Sequence, residues 1–184
     1  MASLFAHLII GKAISATNFS KKYYLKVSFL AMISAVIPDI DVIGYFYHIP
    51  YQSPLGHRGF THSILFALIW AIFIKICFFK NENWKKFQTY YIIIILFLST
   101  LSHGLVDAMT NGGLGVGFFI PFDHSRYFLP WRPILVSPLG IKNFFTPYGL
   151  EVIGNEFIWL IIPSLFMIGI IGIIKILKKT KRPF

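Results

Sequence analysis

Three apolar stretches, Ile64–Phe79, Tyr90–Leu101 and Phe157–Leu177, constrain this chain more than any other feature. A helix needs about 20 mostly apolar residues to cross a hydrocarbon core of roughly 30 Å. A soluble domain of 184 residues would not carry three such runs. The chain is 56% hydrophobic with a mean hydropathy of +0.69, which agrees with a bilayer environment. The expected fold class is therefore all-α, a polytopic membrane helix bundle. Its expected spans are roughly Val27–Tyr47, Phe60–Phe79, Tyr90–Ala108 and Phe157–Leu177. Ala2–Thr17 is shorter and interrupted by Lys12, so it reads as a short span, a re-entrant helix or an interfacial one. It lacks a basic leading region and is not expected to be a cleaved signal peptide.

Nothing separates a second domain and no internal repeat is visible, so residues 1–184 read as one membrane domain. Cys77 is alone in an apolar run and reads as a small hydrophobe. The net charge of +10 is distributed by position. Lys21, Lys22 and Lys26 precede one span, Lys80, Lys85 and Lys86 separate two others, and Lys178, Lys179, Lys181 and Arg182 follow the last. The segments Ile49–Gly59 and Gly112–Glu156 carry few basic residues. This asymmetry is the positive-inside bias. It places the basic loops and the C-terminus in the cytoplasm and the loop 112–156 outside. Anionic headgroups are a sufficient partner for these lysines, and no nucleic-acid readout residues accompany them.

On this topology Asp39, Asp41, His57, His62, His103 and Asp107 all fall toward the outer face, and His7 joins them if the first helix spans. Ionisable groups at membrane depth are costly and usually carry function. His and Asp together are ligands for a divalent metal. His103 and Asp107 stand four apart, about 40° apart on one face at ~3.6 residues per turn. Their structural alternative is a His–Asp hydrogen bond between packed helices. Pro38 precedes Asp39 and Asp41 and interrupts the helical hydrogen bonds, freeing carbonyls beside the site. Two carboxylates two apart point to opposite faces of a regular helix. Either the helix breaks here or one Asp alone faces the cavity. The alternative role for either Asp is a helix cap.

In His57-Arg58-Gly59-Phe60-Thr61-His62-Ser63 the glycines place His57 on a turn and His62 in the first helical turn. The two either converge as ligands or divide into a ligand and a proton shuttle. Arg58 is suited to an anionic group, with interfacial snorkelling as the plainer alternative. His48 and His124 read as interfacial or surface residues. Asn111–Gly117 is glycine-rich without phosphate-loop context. Phe118–Pro133 lies either in the interface or over the site as a lid. Glu151 and Glu156 precede the last span and are expected to cap it; Glu151 is also weighed as a distal ligand.

The ordered set resembles one family. An N-terminal His7, the Pro-Asp-x-Asp of Pro38–Asp41, the His-Arg-Gly-x-Thr-His-Ser of His57–Ser63, and Ser102-His103 with Asp107 look like the LexA-regulated, inner-membrane-bound metal-dependent hydrolases. A Gly-rich turn and Pro121-Phe122 follow in the same order. The resemblance covers His7 to about Arg126, and its His-Arg-Gly-x-Thr-His block is the most specific part. It implies His7, Asp39, Asp41, His57, His62, His103 and Asp107 as the family's polar set. The order is also similar to that of helical zinc-dependent phospholipase C, but no later His-x-x-x-Glu follows Asp107. A trinuclear site is therefore not expected.

The reading that follows is a membrane metallohydrolase with one or two divalent ions, zinc first. His7, Asp39, His62, His103 and Asp107 are the expected ligands. His57 and Asp41 are expected to handle protons, and Arg58 to hold an anionic headgroup. The substrate class is a lipid or lipid-linked phosphoester. The alternatives are a non-enzymatic cation binder or conduit, and a scaffold whose polar groups only join helices.

Overall fold

A computed structural model describes residues 1–18, 20–138 and 141–180. The chain is helical, with isolated bridges Thr110–Ile134 and Val116–Tyr127 its only β pairings among the described residues. Helices α1 (Leu4–Ala16) and α2 (Tyr24–Ser34) are followed by a 3-10 helix over Ile37–Tyr47 and a 3-10 turn over Phe60–His62. Then come α3 (Ile64–Phe78), α4 (Phe87–Ala108), the short α5 (Ile141–Phe144), α6 (Pro147–Glu156) and α7 (Ile162–Thr180). A π turn, Phe157–Ile161, joins α6 to α7.

Among the described residues, three helical stretches are long and apolar enough to cross a membrane: Tyr24–Tyr47, Phe87–Ala108 and Pro147–Thr180. The last extends ten residues further toward the N-terminal side than the expected Phe157 start, because Thr146 caps Gly149 and Pro147 opens the first turn. Within the expected Phe60–Phe79 stretch the helix starts four residues late. Phe60–His62 forms a separate turn, and Ser63 accepts from the Phe66 amide to start α3. Its 15 residues reach about 22 Å at ~1.5 Å per residue, shorter than the ~30 Å hydrocarbon core, and return the chain to the end that carries Lys22 and Lys26. Helix α1 has 13 residues and is packed into the bundle against α2, α4 and α7 rather than lying along its surface.

Lipid tails are as apolar as leucine, so close packing rather than hydrophobic burial joins such helices. The α1–α2 contact shows how. A Cβ on Gly11 would lie 2.7 Å from the Ala31 carbonyl oxygen and 2.8 Å from the Ala35 Cβ. Glycine and alanine there let the two backbones touch. Helix α4 lies against α1, α2 and α3, and Leu30, Ala71, Ile74, Ile92, Ile95 and Leu96 fill the space between them.

The basic segments share one end of the bundle. Lys22 lies 3.1 Å from Glu82, Tyr23 donates to Glu82, and Lys26 donates to the Phe78 carbonyl. Lys181 and Arg182 lie outside the described residues. The His and Asp residues gather at the other end. Glu156, expected to cap its own helix, instead accepts from the Ser3 amide at 2.5 Å and from the Ser3 hydroxyl. It thereby ties the last helix to the start of α1. Glu151 is exposed and apart from the cluster.

Candidate metal centre

The break at Pro38 builds one wall of the site. Proline lacks an N–H, and its ring clashes with the carbonyl four residues back, here Ser34, where α2 ends. Beyond it the chain winds as a 3-10 helix, in which Asp39 N–H donates to Val36 O rather than to Ala35 O. The freed Ala35 carbonyl accepts from His103 Nδ1 at 2.8 Å. That bond sets the tautomer of His103 and turns its Nε2 toward the cluster, the usual support of a metal-binding histidine.

Tighter winding also answers how two carboxylates two apart serve one site. At three residues per turn Asp39 and Asp41 diverge by about 120° rather than the ~160° of an α-helix. They reach opposite sides of one imidazole. His62 Nδ1 lies 3.1 Å from Asp41 Oδ2, and His62 Nε2 lies 3.7 Å from Asp39 Oδ1. Asp39 Oδ1 lies 3.2 Å from His103 Nε2. Asp107, one turn beyond His103, brings Oδ2 to 3.8 Å from His62 Nε2. One ligand atom from each of Asp39, His62, His103 and Asp107 falls within a 4.8 Å group.

The donor set fits a cation. Asp39 Oδ1, His62 Nε2 and His103 Nε2 are buried and have no hydrogen-bond partner among the described residues. Asp39 Oδ1 and His103 Nε2 face one another at 3.2 Å without a well-formed hydrogen bond. An unsatisfied buried polar group costs about 1–3 kcal/mol, and a cation between the three atoms would satisfy all of them at once. Ligand atoms about 2.0–2.2 Å from zinc at a tetrahedral angle lie roughly 3.3–3.6 Å apart, close to the observed 3.2–3.8 Å. The side chains of Asp39, Asp41 and Asp107 against that of Arg58 leave a formal charge of −2 when the histidines are neutral.

Asp41, His57 and His62 form a second group of ligand atoms, but its atoms already bond one another. Asp41 accepts from His57 Nδ1 at 2.7 Å, from the Arg58 amide at 3.0 Å and from Thr61 Oγ1 at 2.7 Å. This group supports His62 from behind. His7 stacks on His103 with ring centroids 3.7 Å apart, and its Nε2 stands 3.6 Å from Asp107 Oδ1. Both His7 ring nitrogens are buried without hydrogen bonds among the described residues.

Arg58 neither snorkels nor faces an open surface. It is fully buried, with Nε donating to Asp107 Oδ2 at 3.0 Å, and its two terminal nitrogens donating to Gly112 O and Thr110 Oγ1. Its backbone adopts φ +61°, a left-handed conformation uncommon outside glycine. The strained turn lets one residue hold both halves of the site, its amide on Asp41 and its guanidinium on Asp107. Gly113 is required beside it: φ is +89°, and a Cβ there would lie 2.7 Å from an Arg58 terminal nitrogen.

Each of the seven expected site residues other than Arg58 thus lies in or against the cluster, whereas the exposed His48 and His124 do not. Thr61, Thr110 and the Ala35 carbonyl are the supporting groups that the sequence did not single out. Thr61 sat inside a recognised motif; the Ala35 carbonyl carried no signal beyond its place before Pro38. The loop over 110–134 folds onto the site as a cover. Gly117 N–H donates to Arg58 O, Ile64 N–H to Phe118 O, and Arg126 donates to the carbonyls of Tyr51, Ser53 and His57.

The family model described as YdjM inner membrane protein matches residues 1–180. Inner membrane protein YbcI of Escherichia coli (strain K12) is 33% identical over 171 residues, covering 93% of this chain and 97% of that protein. No solved structure matches. Both descriptions give an inner-membrane location, in agreement with the long apolar helices. The chain belongs to the YdjM inner membrane protein family.

Proposed function

We propose that this YdjM-family membrane protein is a metal-dependent hydrolase acting at the outer face on a lipid or lipid-linked phosphoester. The observation that carries the reading is the convergence of Asp39 Oδ1, His62 Nε2 and His103 Nε2, all buried and unpartnered among the described residues. Two imidazoles and a carboxylate are the ligand composition of open catalytic zinc sites. Asp107 borders this set with its oxygens already held by Arg58 and by the Ala2 amide at 2.9 Å, and His7 stands beside it. A bound divalent cation, zinc first, supplies Lewis acidity and a water that loses its proton near neutral pH.

The chain's own residues supply the rest. Asp41 holds His57 by Nδ1, leaving its other ring nitrogen to take and return a proton. Asp41 also orients His62, and Arg58 fixes Asp107. The lysine distribution supports a cytoplasmic C-terminus. A cation conduit is disfavoured by the apolar layer of Leu30, Ala31, Ala71, Ile74, Ile92 and Leu96 across the bundle. A conduit needs polar groups through its full depth.

The test is elemental analysis of detergent-purified protein, followed by incubation with membrane lipid extracts. About one equivalent of zinc or a similar ion is expected in the wild type and none in Asp39→Ala/His103→Ala. A metal-dependent lipid product detected by mass spectrometry supports hydrolysis. Metal-free wild type, or full retention in the double variant, sinks the metal centre. A loaded protein that yields no product from the extracts favours a non-enzymatic metal binder.

A further inference from the structure

The cluster reaches the surface at one edge. The side chains of His62, His103 and Asp107 are 0% exposed, and that of Asp39 is 11% exposed. Asp39 also lines a cavity of about 390 Å³ between α1 and the α2 end of the following 3-10 helix. Its other walls are Leu4 and Leu8 on one side and Ile33, Val36, Ile37 and Ile40 on the other. Leu4, Ile33 and Ile40 are 48%, 36% and 51% exposed, so the cavity is an open groove on the flank of the bundle. Ile33–Ile40 belongs to the stretch Tyr24–Tyr47, which is long and apolar enough to span, and the groove's exposed walls are apolar, as contact with hydrocarbon requires.

The groove's chemistry selects its occupant. Its volume is more than ten times the ~30 Å³ share of a water molecule, and ordered water needs two to four polar partners. Asp39 is the one polar side chain in the lining. The 110–134 loop is pinned against the Arg58 turn beside the cluster through Arg126 and Arg58 O. An apolar channel that ends on a carboxylate of the candidate metal centre suits a molecule with a hydrocarbon tail and a polar head.

We infer that this groove is the lateral entrance to the site and seats one acyl chain of a glycerophospholipid, with the phosphate end at Asp39. This deepens the hydrolase reading and rests on it for the role of the headgroup.

The full chain in vesicles of phosphatidylethanolamine and phosphatidylglycerol, doped with phosphatidylethanolamine bearing a diazirine acyl chain, provides the test. After photolysis, peptides containing Leu4–Leu8 and Ile33–Ile40 should carry about tenfold more label than the exposed Ile170–Leu177 face of α7, the ratio given by ~1.4 kcal/mol of preference. Ile37→Trp, and separately Leu4→Trp at the rim, should bring that label down to the α7 level while metal content stays at the wild-type value. Equal labelling of groove and α7 in the wild type overturns the groove, even if metal is present. Selective labelling of a metal-free protein upholds the groove and overturns only the hydrolase reading.

Discussion

Two overlapping groups of ligand atoms share His62, and one substitution separates them. Asp41→Asn keeps the side-chain volume but removes the charge. Asp41 accepts from His57, the Arg58 amide and Thr61, and lies 3.1 Å from His62 Nδ1. With the asparagine oxygen in the Oδ2 position, the bonds to Arg58 N–H and Thr61 survive. Its amide then faces His57, which becomes an acceptor by changing tautomer. The fold should therefore hold, while His62 loses the carboxylate that raises its basicity. Loss of such a supporting partner weakens metal affinity by about 10–100-fold, or roughly 1.4–2.7 kcal/mol. Asp39→Asn, by contrast, replaces the anionic ligand of the three unpartnered atoms by a neutral amide and should abolish stoichiometric binding. Competition against a chromophoric zinc chelator, in detergent at fixed pH, reads both. The expected order is a full-stoichiometry but weakened Asp41→Asn and an empty Asp39→Asn. The reverse order would place the ion between Asp41, His57 and His62 and refute the assignment.

Other consequences are as direct. Arg58→Met leaves Asp107 buried without its guanidinium and should cost about 3–5 kcal/mol in detergent unfolding; added zinc should recover part of this, and a loss below ~1 kcal/mol would contradict the clamp. On the lysine-rich side, the Tyr23 hydroxyl first, and then the Lys22 ammonium, hold the Glu82 carboxyl below its usual range. A depressed folded-state value means stability that is present above the unfolded pKa of about 4.3 and lost as pH falls through the folded one. Glu82→Gln should thus be less stable than wild type near neutral pH, with the gap closing in acid; a gap independent of pH would show that Glu82 acts through shape alone. For sidedness, Ser125→Cys in a Cys77→Ser background should react with an impermeant maleimide in intact spheroplasts, and Asn81→Cys only after lysis. The opposite pattern inverts the topology.

The legible and illegible parts of the site divide by sequence range. His103 and Asp107 are one helical turn apart, so their shared face follows from local geometry. Pro38 likewise announced a break, and the break carries Asp39 and Asp41 toward His62. Arg58 was harder to read. A lone arginine near an interface ordinarily reaches for water or headgroups, and only the packed loop, with Gly113 and Thr110 beside it, buries it against Asp107. Hydropathy places the start of α3 at Phe60, whereas Phe60–His62 winds as a separate turn and the Ser63 cap starts the helix at Ile64.

The apolar runs, the placement of lysine and the ordered His and Asp residues determine a helical membrane chain with a polar layer toward one face. Those properties belong to segments of a few turns, whose solvent and periodicity are written locally. Which imidazole nitrogen meets which carboxylate was decided by tertiary structure alone. Asp107 draws on Arg58, 49 residues away, and on Ala2, 105 away. The lateral groove exists only because Gly11 and Ala31 let α1 lie against α2, placing Leu4 and Leu8 opposite Ile33–Ile40. Contacts at such separations depend on how helices pack, and no periodicity within a single segment encodes them.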